Sequence, residues 1–349
     1  MEEKILVTGC AGFIGFHVCK ELLNKGAFVI GLDNLNDYYD VSLKKARLKQ
    51  LNKLSKNNKV DFIFVKADLK DENSLKNISK LNLPKKVIHL AAQAGVRHSI
   101  EKPSEYINSN LVGFGNVLQF CKDNQVEHLI YASSSSIYGG NKKIPFSEKD
   151  FVDYPVSLYA ATKKSNELMA HSYSHLFKLP STGIRLFTVY GPWGRPDMAP
   201  MIFTKSILSS KPIKIFNNGD MYRDFTYIDD VSEVILKLLH LPPKYLNDNK
   251  KLNSLELPEI TPHRIINIGS SNPINLLEFI EILEQEINIK AIRVFEKMQL
   301  GDVKKTYADT SYIKDLINYK PNTSLKNGIR ELVKWYKNFY IKQSFNSFT

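Results

Sequence analysis

Cysteine is scarce: Cys10, Cys19 and Cys121 are the only three in 349 residues. Their number is odd and their spacing fits no metal site, which excludes a disulfide framework and a zinc knuckle and leads us to expect a reducing, cytoplasmic setting. No stretch approaches the roughly 20 apolar residues of a membrane span, so no membrane partner is expected. The chain runs almost at once into an apolar, strand-like segment, which leaves no room for a signal peptide. No internal repeat is visible, which excludes a solenoid. Acid is short relative to base: 36 Asp and Glu stand against 48 Lys and Arg, a formal charge of +12. The lysines are scattered and mixed with asparagines, as in Lys53–Lys59, and no nucleic-acid motif accompanies them. We read them as solvated surface whose mild positive field helps recruit an anionic substrate. An apolar fraction of 43% supports an ordinary core, in one large domain or two moderate ones.

Glycine is concentrated where the chain starts. Ile5-Leu6-Val7 reads as a buried parallel strand. It is followed by Thr8-Gly9-Cys10-Ala11-Gly12-Phe13-Ile14-Gly15. Gly9, Gly12 and Gly15 allow a tight turn, close backbone approach to a pyrophosphate and close helix packing. The helix expected from about Phe13 to Asn24 aims its positive end at the phosphates. A glycine triplet alone can be a mere turn; its place between strand and helix favours a nucleotide cradle. A second strand, Phe28–Leu32, ends at Asp33. A carboxylate there accepts hydrogen bonds from an adenosine ribose and repels a 2'-phosphate, which favours NAD over NADP. Asp33-Asn34 is also good turn chemistry.

Further strands are expected at Val60–Val65, Lys86–Leu90, His128–Ala132 and Thr182–Phe187. Helices are expected at Ser42–Leu54, Glu72–Leu81, Ser104–Lys122 and Ser157–Phe177. This alternation predicts an α/β fold: a Rossmann-type, doubly wound parallel sheet over residues 1–187. Segments near 224–240 and 263–269 are expected to return to it, with a short strand at Ile265–Ile268. Residues 188–349 are expected to form mainly a smaller α/β substrate lobe, with helices at Leu276–Glu286 and Leu325–Tyr340. Leu241–His263, rich in Pro, Asn, Lys and Leu, reads as a surface loop. Gly9, Asp33, Asp68, Ala91, Ser134 and Phe187 fall at the C-terminal ends of strands, where such sheets bind ligands.

Tyr159 and Lys163 are four apart, on one face of a helix. A tyrosine moves a proton to or from a sugar hydroxyl once its pKa is drawn down from about 10, and an ammonium one turn away does this. Ser134, in the run Ser133–Ser136, can share the substrate hydrogen bond. Such a pair also occurs by chance on helices; the nucleotide signature upstream gives it weight.

Together these residues resemble the extended short-chain dehydrogenase/reductase superfamily, and within it the nucleotide-sugar epimerases that interconvert UDP-glucuronate and UDP-galacturonate. The likeness runs nearly end to end. Its more specific stretches are Asp33-Asn34-Leu35-Asn36-Asp37-Tyr38-Tyr39 and Gly191-Pro192-Trp193-Gly194-Arg195-Pro196-Asp197-Met198. The resemblance implies a bound NAD, a UDP-sugar substrate, a homodimer packed through the two long helices, and a product destined for polysaccharide precursors. It implies Tyr159, Lys163 and Ser134 as catalytic. It implies cofactor contacts from Gly9, Gly12, Phe13, Ile14, Gly15, Asp33 and Asn34, with Asp68 and Leu69 at the adenine. Ala91, Ala92 and Gln93 would line the cofactor, and Lys163 would also hold its nicotinamide ribose. Thr188 and Arg223 match positions that hold the nucleotide diphosphate, Arg195 matches one that reaches the sugar, and Asp302 joins the substrate side. No metal is implied. Cys10 and Tyr222 depart from the usual pattern.

Dehydratase relatives carry an Asp-Glu pair beside the Ser/Thr, and decarboxylase relatives a Glu. Ser135 and Ser136 stand here and cannot act as carboxylic acid–bases. With Arg195 they suit a sugar carboxylate instead. The rival expectations are 4-epimerisation of UDP-glucose or UDP-N-acetylglucosamine, decarboxylation of UDP-glucuronate, and an NAD-binding regulatory protein without turnover.

Overall fold

Apolar runs buried on both faces line up as one parallel sheet. The computed structural model describes residues 3–81, 84–244, 261–299 and 301–341. Its strands are β1 (Lys4–Thr8), β2 (Phe28–Asp33), β3 (Phe62–Lys66), β4 (Lys86–His89), β5 (His128–Ser134), β6 (Ser181–Leu186), β7 (Thr188–Tyr190), β8 (Ile213–Phe216), β9 (Tyr222–Tyr227), β10 (His263–Ile268), β11 (Pro273–Asn275) and β12 (Arg293–Glu296). Seven of them pair in the order β10-β6-β5-β4-β1-β2-β3, all parallel. An all-parallel sheet needs both faces covered, and alternate residues of β1 serve the two layers. Ile5 and Val7 pack with Val18 and Leu22 of helix Phe13–Asn24 and with Val231 and Ile235 of helix Ile228–Leu239. Leu6 packs with Val117 and Leu118 of helix Gly113–Asp123 and with Ala170 of helix Leu158–Phe177. The strand order reverses between β1 and β4, which opens a crevice at their C-terminal ends.

The chain leaves this sheet after β6 and returns as helix Ile228–Leu239 and as β10, whose His263 to Ile268 pair with Ser181 to Leu186. Segments before the first return and after β10 form a smaller set of elements: a three-stranded sheet β11-β9-β7 and a two-stranded sheet β12-β8. Of the expected loop Leu241–His263, residues 245–260 lie outside the described residues.

Two expected helices differ in kind. Ser104–Lys122 is not one α-helix: a short helix Pro103–Tyr106 passes into a π-helical turn, Ile107–Val112, before Gly113–Asp123. Asn110 explains the break. Its buried side chain accepts from Gln93 N at 2.8 Å and donates to Gln93 O at 3.0 Å, and its carbonyl accepts from Asn166 Nδ2 at 2.6 Å. A widened turn releases a carbonyl for such a bond. The last expected helix is α-helical over Leu325–Tyr336 and continues π-helically over Lys337–Ile341. There Trp335 and Phe339 stack at 5.4 Å and gather around Trp193.

Candidate active site

The glycine loop is shaped by contacts that no side chain would permit. Gly9 has φ +72°, and a Cβ on it would lie 2.7 Å from Ala91 N. A Cβ on Gly15 would lie 2.0 Å from Gly9 O, and one on Gly12 2.9 Å from the same oxygen. Helix Phe13–Asn24 starts after Gly12 with no side-chain cap, so its first N–H groups face the crevice without one. Thr8 Oγ1 bonds His89 Nδ1 at 2.8 Å and accepts from Ala91 N at 3.3 Å, which ties the ends of β1 and β4. Asp33, at the end of β2, accepts from Ala11 N at 3.2 Å and Leu35 N at 2.8 Å. Asn34 donates to Asp68 at 3.1 Å. This cradle of glycines, a bare helix start and a fixed carboxylate fits a dinucleotide.

The crevice beyond it encloses about 370 Å³ and brings together every residue expected at the cofactor. Ser134, Ser135, Ser136, Tyr159, Lys163, Thr188 and Arg195 line it as well. Arg223 and Asp302 do not. The Arg223 guanidinium donates to Tyr222 O at 3.0 Å and Lys304 O at 3.3 Å. Asp302 pairs with Arg97 at 3.1 Å and borders a second cavity with Tyr222 and Lys304.

Ser157 caps the helix carrying the tyrosine, its Oγ accepting from Ala160 N at 3.1 Å, so Tyr159 sits in the first turn. Burial raises the Tyr159 phenol above its ordinary value, while a hydrogen bond with Ser134 and the Arg195 charge pull it back down. Lys163, expected to tune the phenol, stands one turn further along the same helix. Its Nζ donates to Ala132 O at 2.9 Å, and burial lowers its own pKa to about 8. The four serines divide their work. Ser133 is buried and donates to Glu167 at 2.7 Å. Ser134 donates to Ser136 Oγ at 3.1 Å and accepts from Ser136 N at 3.2 Å. Ser135 and Ser136 open the short helical turn that follows β5.

Arg195 stands beside Tyr159 in a polar cluster that sequence reasoning did not foresee. Asp197 grips it at two points, Nε at 3.1 Å and Nη2 at 2.5 Å. Tyr38 donates to Asp197 at 3.0 Å, and its ring lies 5.8 Å from the guanidinium. Burial and Asp197 push the Tyr38 phenol up to about 12. Lys44, also unforeseen, is buried at the crevice wall, donates to Asn36 at 2.5 Å, and has its pKa lowered by burial. Lys44 sits on a lysine-rich helix and carries no signal in the sequence that separates it from its solvated neighbours.

Residues 5–249 match the family model described as the NAD dependent epimerase/dehydratase family. The chain belongs to that family. Among its relatives, Protein CapI of Staphylococcus aureus is 47% identical over 97% of this chain and 100% of its own length. A probable UDP-glucuronate 4-epimerase of Rhizobium meliloti (strain 1021) is 46% identical over 97% of this chain and 98% of its own. The crystal structure of UDP-glucuronic acid 4-epimerase from Bacillus cereus, in complex with UDP-glucuronic acid and NAD, superposes with a TM-score of 0.84 at 34% identity. That match covers 97% of this chain and 100% of the other.

Proposed function

We propose that this protein is a UDP-glucuronate 4-epimerase, converting UDP-glucuronate to UDP-galacturonate at the crevice described above. The observation that carries the reading is the meeting of Tyr159, Ser134 and Arg195 in one crevice with the glycine cradle. Gly9, Gly12, Gly15 and Asp33 would hold NAD by its diphosphate and adenosine ribose, with Asp68, Leu69, Ala91, Ala92 and Gln93 along its length. When bound, NAD would supply reversible hydride-transfer chemistry at C4 of the sugar, the redox step that inversion at that carbon requires.

Tyr159 takes the proton of the C4 hydroxyl and later gives it back. Ser134, bonded to the phenol, helps orient that hydroxyl. Lys163 holds the end of β5 against the tyrosine's helix through Ala132 O, and its remaining N–H groups suit a nicotinamide ribose. Arg195 and the hydroxyls of Ser135 and Ser136 would hold the C6 carboxylate. A 4-keto uronate is a β-keto acid, so a carboxylate fixed against rotation about C5–C6 resists decarboxylation. No carboxylic acid stands at positions 135 and 136 to drive loss of water.

Purified protein incubated with UDP-glucuronate, without added NAD, should form UDP-galacturonate, separated by chromatography. The Tyr159→Phe variant should form none while still binding UDP. UDP-pentose as the product would instead indicate a decarboxylase. Conversion of UDP-glucose alone would move the substrate to a neutral sugar. Absence of turnover on all of these would leave a nucleotide-binding protein.

The same reading includes a homodimer and a cytoplasmic location. Exposed Val112, Leu168, Leu176 and Phe177 on the two long helical stretches support the first; a monomer in analytical ultracentrifugation would remove it. Three free, buried thiols support the second. Among the described residues, no helix is long and apolar enough to cross a membrane.

A further inference from the structure

Arg195 reaches the crevice at the end of a strained turn. Gly191 has φ +146°, and Trp193 has φ +62°, a left-handed conformation that a bulky residue keeps only when its surroundings impose it. The surroundings here are three carbonyls in a row, each taken by a buried side chain from the nucleotide-binding half. His17 Nε2 bonds Pro192 O at 3.0 Å. Arg47 Nη2 donates to Trp193 O at 2.5 Å and to Gly194 O at 3.4 Å. The Trp193 ring is wedged among Phe16, Trp335 and Phe339, 5.0 to 5.3 Å away.

The other arm of Arg47 points to the cofactor side. Nη1 donates to Ala11 O at 2.8 Å, inside the glycine loop, and to Tyr39 Oη at 2.7 Å, on the crevice wall. The Ala11 peptide is also held at its N–H by Asp33. Arg47 is wholly buried, and among the described residues no carboxylate pairs with it. A buried cation without a counter-ion is costly, so its retention calls for a geometric reason. One planar fork spans two loops, which the single ammonium of a lysine cannot do.

We propose that Arg47 is a positioning residue for the reaction: it fixes the Arg195 turn against the glycine loop, so that the sugar carboxylate and the dinucleotide are held in register. This rests on the reading of Arg195 as the group that meets the carboxylate. Arg47 itself touches neither ligand. The consequence is that Arg47 acts on uronate turnover only through Arg195.

The test is a cycle of four holoenzymes: unaltered, Arg47→Lys, Arg195→Ala and the double variant. We expect Arg47→Lys to lower kcat/KM for UDP-glucuronate by about tenfold or more, as small misplacements of reacting groups do. UDP affinity by calorimetry and NAD content by absorbance should stay within about twofold. In the Arg195→Ala background the same change should cost less than about twofold. An Arg47→Lys loss of equal size with and without Arg195, or a parallel fall in UDP affinity, would overturn the proposal and leave the reading of Arg195 standing. An Arg195→Ala enzyme with full activity on UDP-glucuronate would overturn that reading, and the proposal with it. Should Arg47→Lys fail to fold, Tyr39→Phe removes one of the four acceptors of the fork. It runs the same cycle at smaller amplitude, with the same outcomes.

Discussion

Arg195 meets its substrate already engaged. Asp197 occupies Nε and Nη2, and Tyr38 backs Asp197, so an incoming carboxylate meets the remaining face of the guanidinium. Burial disfavours the Arg195 charge, but Asp197 more than offsets this and raises its pKa above the ordinary value, keeping it charged. A charge-assisted bond of this kind is worth about 1.5–3 kcal/mol, or roughly 10- to 150-fold in kcat/KM. Arg195→Ala should therefore lose about that much on UDP-glucuronate and much less on UDP-glucose, measured as kcat/KM for both sugars. Equal losses would show that Arg195 does not read the carboxylate. Tyr159, Lys163 and Arg195 were legible because spacing and motif flag them. Arg47 and Asn110 were not. Arg47 lies on a helix of lysines and asparagines, where an arginine reads as solvated, and only tertiary packing buries it. Sequence spacing sets Lys163 one turn from Tyr159, but not its bond to Ala132 O, which needs β5 packed against the helix.

Helix Leu158–Phe177 needs an anchor, because Tyr159 sits at its fraying first turn. Two turns along, Glu167 receives Arg185 of β6 in a bidentate pair, with Nε at 2.9 Å and Nη2 at 2.8 Å, and also accepts from Ser133 of β5. Arg185 continues to Tyr138 Oη at 2.7 Å, which donates to Asn267 of β10 at 2.7 Å. One buried network thus ties the helix to three strands. Breaking such a pair from one side strands a buried charge and costs about 3–5 kcal/mol. Arg185→Met should lose that much stability in urea unfolding, and adding Glu167→Gln should restore part of it. A loss under about 1 kcal/mol would place the network's weight elsewhere. The strands that hold this network were legible from the alternation of strands and helices, although β6 and β10 carry polar residues such as Thr182, Arg185 and Asn267. The strands β7, β8, β11 and β12, three or four residues each, are too short to show a period. The π-turn at Ile107–Val112 keeps its apolar pattern through the break, so Ser104–Lys122 read as one helix.

Acid acts on the sheet as a whole, because three of its strands each carry a neutral histidine, buried at His89 and His128 and half-buried at His263. His89 ends β4, His128 starts β5 and His263 starts β10. Burial, the largest cause for each, lowers all three from 6.5 to about 3. At His128 the surroundings show why. Nδ1 donates to Leu239 O at 3.1 Å, and Nε2 lies 2.9 Å from Thr182 Oγ1, which also accepts from Arg264 Nε at 3.1 Å. Both nitrogens of the neutral ring have partners, and the nearby Arg264 cation opposes a second proton. Between pH 3 and 6.5 the unfolded chain holds protons on these rings that the folded chain does not. The stability they contribute is complete above pH 6.5 and is lost as pH falls towards 3. Each ring adds about 1.4 kcal/mol per pH unit to the slope inside that window. Replacing His128 with Gln, which keeps a donor and an acceptor but does not titrate, should make the stability curve between pH 6 and 4 shallower by about one ring's share, read from urea midpoints and m-values at several pH values. An unchanged slope would mean that His128 already takes up its proton in the folded sheet.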